Sequence, residues 1–133
     1  PKEIKLIEAK PIAPAAEVAN RVNVVQQTVY FASDSLQLTL YDNGEVDGDT
    51  VSVLMNGKII LAKEGLSTTA VKKTIYTSQV SDSIELVMYA ENLGSIAPNT
   101  GLLVVHDGKS IYEIRFSGDL KKNASIILRR RKN

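Results

Sequence analysis

Leu40-Tyr-Asp-Asn-Gly-Glu-Val-Asp-Gly-Asp-Thr-Val-Ser-Val-Leu-Met-Asn-Gly57 decides the fold class, because it sets an acidic, glycine-broken loop between two strands and follows it with a hairpin turn. Before the loop, Leu36, Leu38 and Leu40 alternate with Gln37, Thr39 and Tyr41, the period-two pattern of a strand with one face in a core. After it, Val51, Val53 and Met55 repeat the pattern. Asp42, Asn43, Gly44, Asp47, Gly48 and Asp49 tolerate positive φ or bond their own backbone, so the chain reverses between the two runs. Asn56-Gly57 is the strongest short hairpin signal, since a type I′ turn needs positive φ at both central residues.

Outward from this stretch the same grammar repeats. Val25, Gln27, Val29 and Phe31 share one phase and Gln26, Thr28 and Tyr30 the other, and Ser33-Asp34-Ser35 turns into the Leu36 strand. Lys63-Glu-Gly65 reads as the opening of a loop, and Ala70 to Tyr76 as a strand with Lys72 and Thr74 outward. Ile84, Leu86, Met88 and Ala90 line one face of the next strand, opposite Glu85, Val87 and Tyr89. The continuous apolar run Leu102 to Val105 suits a strand covered on both faces. Asp107-Gly108 predicts a second hairpin turn into Tyr112, Ile114 and Phe116, and Ala124 to Leu128 forms the closing strand. With no sustained helical period, eight to ten short strands at roughly ten-residue spacing predict an all-β, antiparallel β-sandwich, immunoglobulin-like or jelly-roll-like. The expected core is Leu38, Leu40, Val51, Val53, Leu86, Met88, Val104, Ile114 and Ile126.

Length and composition limit the rest. At 133 residues the chain is one domain, residues 21–133, preceded by an edge segment or linker over residues 1–20 that Pro11 and Pro14 keep out of a central ladder. The 16 basic and 15 acidic side chains nearly cancel, which argues against a nucleic-acid surface. No apolar run approaches the ~18 residues of a membrane span. Cysteine is absent, which removes disulfides and thiolate metal sites. A chain that starts at Pro1 is expected to have a trimmed N-terminus.

Tyr41-Asp-Asn-Gly-Glu-Val-Asp-Gly-Asp-Thr-Val-Ser52, Asn56-Gly57 and Ala90-Glu-Asn-Leu-Gly-Ser-Ile-Ala-Pro-Asn-Thr100 together resemble an uncharacterised family of exported, cell-envelope proteins from Bacteroidetes. The resemblance covers about Arg21 to Leu128, with Ala97 standing where that family carries a proline before Pro98. It implies an extracytoplasmic location, in the periplasm, on the cell surface or secreted, and supplies no catalytic residues.

Few residues carry chemistry. His106 is the only histidine, and no Gly-x-Ser-x-Gly elbow accompanies it, so a serine triad is not expected. Asp42, Glu45, Asp47 and Asp49 could supply a glycosidase pair, but a sandwich this short has little chain with which to wall a cleft. The acidic loop has two competing readings. Asp42, Asn43, Asp47 and Asp49 could offer calcium its oxygen ligands, or they could simply form Asx turns between strands. The run Arg129-Arg-Arg-Lys132 could attract phosphate or anionic lipid, but with four charges and no interleaved aromatics it reads instead as a solvated tail. Tyr30, Tyr41, Tyr76 and Tyr89 all fall in the outward phase of their strands, the raw material of a sugar-stacking platform. The functional expectation is a non-catalytic accessory or interaction domain of an exported protein, meeting an unknown protein or glycan of the cell envelope. The alternative is a carbohydrate-binding module, with calcium as its one candidate cofactor.

Overall fold

The computed structural model describes residues 21–42, 50–67, 69–78, 80–92 and 99–132, so the readings of residues 1–20 and of Asn43 to Asp49 lie outside the described residues. The described residues form nine strands: β1 (Val22–Phe31), β2 (Ser35–Asp42), β3 (Thr50–Met55), β4 (Lys58–Gly65), β5 (Val71–Tyr76), β6 (Ser83–Asn92), β7 (Asn99–Asp107), β8 (Ser110–Gly118) and β9 (Lys122–Arg130). They form a five-stranded sheet, β1-β9-β6-β3-β4, packed on a four-stranded sheet, β5-β2-β7-β8. The fold is the expected β-sandwich. Only β3/β4 and β7/β8 are sequence neighbours that also pair, and every other described connection crosses from one sheet to the other.

The core lies between the sheets. Phe31, Leu36, Leu40, Ile84, Leu86, Leu103, Ile114, Ile126 and Leu128 are its largest fully enclosed aliphatic and aromatic side chains. Each such side chain contributes on the order of 1.5 to 3 kcal/mol by leaving water. Eight of the nine expected core residues are in this cluster. Val104 is the exception: Leu103 and Val105 take the inward phase of β7, which turns Val104 to the outer face, where it is still only 8 % exposed. A run of four apolar residues shows no alternation, so its phase is set by pairing with β2 and β8 and not by its own pattern.

Three local features depart from the expected pattern. β1 pairs β9 in parallel, with Val22 opposite Lys122 and Phe31 opposite Arg130, because these strands are joined by no hairpin and side-chain alternation carries no direction. A β-bulge between Val25 and Gln27 then shifts the phase of β1, so Val25 leaves the set of Val29 and Phe31 and is 54 % exposed. In the third, Lys63-Glu-Gly65 does not open a loop. It continues β4 through a bulge at which Lys63 takes φ 51° and its N–H donates to the Ser52 hydroxyl at 3.0 Å.

The turns follow their residues. Asn56 and Gly57 both have positive φ, 50° and 86°, as a type I′ turn requires, and the Asn56 side-chain oxygen accepts the Glu85 N–H at 2.8 Å. The second hairpin turns one residue later than expected, at Gly108-Lys109, with positive φ at Gly108 alone, while Asp107 remains in β7 opposite Ser110. Asp119 closes the β8–β9 turn by accepting the N–H groups of Lys121 and Lys122 at 2.7 and 2.8 Å, and those two bonds hold its carboxyl below the usual 3.8.

The C-terminal basic run is no free tail. Arg130 bonds Asp82 at 2.9 Å and the Thr77 carbonyl at 2.6 Å, with its guanidinium 5.0 Å from the centre of the Phe31 ring. Arg131 donates its backbone N–H to the Phe31 carbonyl at 2.6 Å and its guanidinium to the Tyr112 hydroxyl at 3.2 Å. Since Tyr112 is in β8 and Thr77 directly follows β5, both strands of the four-stranded sheet, the run fastens the two sheets together.

Candidate binding surface on the outer face of the four-stranded sheet

The register of β2, β7 and β8 builds one concave surface from residues far apart in sequence. Tyr41 stands opposite Leu102, Thr39 opposite Val104, and Gln37 opposite His106, while His106 and Val104 are opposite Ile111 and Glu113 on β8. All belong to the outward phase, because Leu38, Leu40, Leu103, Val105 and Ile114 fill the core. The result is a shallow groove of about 570 Å³. Leu102, Val104 and Ile111 give it an apolar floor, Tyr41 flanks one end, and Asp42, His106 and Glu113 supply polar groups. An apolar floor with a few placed polar groups is the usual composition of a small-ligand surface.

His106 has Gln37 and Ile111 as its cross-strand neighbours, so no nucleophile stands opposite it. Asp107, adjacent in sequence, serves another purpose. Its two oxygens accept the N–H groups of Ala32 and Ser33 at 3.0 and 2.9 Å, which ties the β7–β8 hairpin to the β1–β2 turn. Burial works against the Asp107 charge, but the Ser33 hydroxyl, those two N–H groups and the charge of Arg131 outweigh it, and the carboxyl is held below its usual 3.8.

The four outward tyrosines do not share a face. Tyr30 and Tyr89 belong to the five-stranded sheet, Tyr41 and Tyr76 to the four-stranded one. Tyr89 is 1 % exposed, packed with Leu54 and Val87 under the Arg21 guanidinium, which lies 3.8 Å from the ring centre. Tyr41 and Tyr76 do share the outer face, but Tyr76 is opposite Ser35 at the far end of β2, roughly 20 Å away at about 3.3 Å per residue. Only Tyr41 is part of the groove.

Of the four calcium candidates, Asp42 ends β2 with its N–H on the Ser67 carbonyl at 2.9 Å, and Asn43, Asp47 and Asp49 lie outside the described residues. Among the described residues, no group of three or more His, Cys, Asp or Glu converges as a metal site would require. No described helix is long and apolar enough to cross a membrane. No protein-family model, no curated protein and no solved structure matches the chain.

Sequence reasoning picked out Tyr41 and Asp42 but missed Leu102, Val104, Ile111 and Glu113 as their companions. The signal that could have found them is the i, i+2, i+4 spacing of Leu102, Val104 and His106, which share one face of any strand. What no spacing reveals is that β2 lies beside β7.

Proposed function

We propose that the chain is a non-catalytic recognition domain of an exported cell-envelope protein, and that it binds through the outer face of β2, β7 and β8. The groove floored by Leu102, Val104 and Ile111 and edged by Tyr41, Asp42, His106 and Glu113 carries this reading. It sits on paired strands of a packed sheet, so its side chains are held in place before a ligand arrives, and less ordering entropy is lost on binding. Two further observations favour binding over catalysis: His106 is flanked by Gln37 and Ile111, and the Asp107 carboxylate is committed to the β1–β2 turn. The extracytoplasmic location rests on the motifs at residues 41–52 and 90–100.

A glycan is the second reading, favoured by the juxtaposition of Tyr41 with two carboxylates and an imidazole in one groove. The ring offers a stacking face and the polar groups offer hydrogen bonds to hydroxyls. A glycan array and a pull-down from cell-envelope fractions, each run with the wild-type domain and with Tyr41→Ala/His106→Ala, test both readings together. A glycan or protein retained by the wild type and lost by the variant is the expected result. A ligand retained equally by both removes recognition from this face.

A further inference from the structure

A second recess lies on the five-stranded sheet, where the ends of β1 and β9 meet the start of β6. Its volume is about 570 Å³, and its lining includes Tyr30, Ser83, Arg129, Arg130, Arg131 and Lys132, with Asp82 as its one carboxylate. Asp82 is already engaged by Arg130, whose other bonds go to Thr77 and whose guanidinium lies over Phe31. Arg130 is therefore a structural cation. Arg131 is partly committed, through Tyr112 and the Tyr30 carbonyl. Among the described residues no acceptor is bonded to the side chain of Arg129 or of Lys132, so the recess holds a surplus of positive charge.

The strand register arranges that surplus. Arg129 is flanked directly by Tyr30 on β1 and by Ser83 on β6, its partners on either side. Tyr30 is 53 % exposed, and Ser83 is exposed as well. One open guanidinium fork thus stands between two hydroxyl-bearing side chains, with further cations close by. A guanidinium presents paired N–H donors that match two oxygens of a phosphate. The two unpaired cations, with Arg131 beside them, suit the several oxygens of a phosphate better than a single carboxylate.

We propose that this recess binds a phosphate group, with Arg129 as its main ligand, Lys132 and Arg131 supplying further charge, and Tyr30 and Ser83 donating hydrogen bonds. The phosphate belongs either to a free phosphate ester or to an anionic lipid headgroup, since each presents at least two non-ester oxygens to a guanidinium fork. This site is independent of the groove on the opposite face, and neither reading depends on the other.

The test is a titration of the folded, isotope-labelled domain with inorganic phosphate and with glycerol phosphate at constant ionic strength, beside sedimentation with phosphatidylglycerol vesicles and phosphatidylcholine vesicles. The expected result is saturable shifts of the Tyr30, Ser83 and Arg129 amides, weakened about tenfold or more in Arg129→Gln, as loss of one charge-assisted pair implies. Lys72→Gln, on the other sheet, should bind as the wild type does. Saturation by soluble phosphates without vesicle binding identifies a free ester. Arg129-dependent binding to phosphatidylglycerol without saturation by soluble phosphates identifies the headgroup. No localised shifts and no vesicle binding, or equal binding by Arg129→Gln, overturns the proposal. Thermal melting of Arg129→Gln separates lost binding from lost fold.

Discussion

Gly101 lies directly opposite Phe116 in the β7/β8 pair, and the Phe116 ring occupies the space that a Cβ at residue 101 would need. An ideal Cβ there would come within 2.7 Å of Cε2, and the ring is 3 % exposed in the core, where it has little room to yield. Gly101→Ala should therefore destabilise by about 1 to 3 kcal/mol, the usual cost of overpacking a core. Urea titration measures this. Combining it with Phe116→Leu should cost less than the sum of the two single changes, because the smaller side chain vacates the contested space.

Asp107 makes stability depend on pH with a definite sign. Its carboxyl is held below 3.8 in the folded state, so its contribution is fully present above that value and is lost as the pH falls through the lower folded value. Asp107→Ala should cost about 1 to 3 kcal/mol at neutral pH by leaving the Ala32 and Ser33 N–H groups without their acceptor. Below the folded value the gap between variant and wild type should shrink. Denaturant midpoints from pH 7 down to pH 2 provide the check, and a gap that widens in acid would contradict the assignment.

Gln26, the extra residue of the β1 bulge, uses its side-chain amide as a strand would use its backbone. Its nitrogen donates to the Ser117 carbonyl at 2.7 Å, and its oxygen accepts the Ser117 N–H at 3.0 Å. These bonds tie the edge of one sheet to the edge of the other. Gln26→Ala should lower stability by about 1 kcal/mol, since both bonds are exposed to water, and should speed hydrogen exchange at the Ser117 amide. Unchanged exchange there would count against the bridge.

Arg130 and Asp82 test whether an ion pair or packing matters more at the end of β9. The Asp82 side chain is 65 % exposed and that of Arg130 only 27 %, so screening by water leaves the charge pair worth little. Asp82→Asn should change stability by less than about 0.5 kcal/mol. Arg130→Ala should cost more, about 1 to 3 kcal/mol, because it also removes the bond to Thr77 and the contact with Phe31. Equal effects would show that the charge pair alone matters.

Lys63 holds φ 51° at the bulge in β4, where an ordinary side chain crowds its own backbone. Lys63→Gly should be neutral or stabilising by up to about 1 kcal/mol, relief of that crowding being partly offset by the greater freedom of glycine in the unfolded chain. A loss of more than about 1 kcal/mol in thermal melts would point to a packing role for the Lys63 side chain.

Much of this architecture was legible in the sequence because alternation is a local signal. Leu36, Leu38 and Leu40 announce the inward face of β2, and Asn56-Gly57 announces the β3/β4 hairpin, through contacts no more than a few residues apart. The phase of β1 was legible only after its bulge, since one inserted residue sends Val25 to the opposite face. Tyr89 read as outward and is outward, but outward proved to be buried under Arg21, which stands 68 residues earlier in the chain. The groove was half legible: Tyr41 and Asp42 stood out by type, whereas their partners on β7 and β8 could be assigned only from the strand order.

The position of β9 bears on how the chain reaches this state. The last strand lies inside the five-stranded sheet, between β1 and β6, and Asn23 touches Asn123 across 100 residues of sequence. Until β9 has been synthesised, β1 lacks its strand partner among the described residues and β6 lacks one of its two, so a ribosome-bound fragment without residues 122–130 cannot assemble this sheet. Such distant pairings place the fold among slow ones, in the range of about milliseconds to seconds, and the valine-rich β1 spends that interval as an open template for other chains.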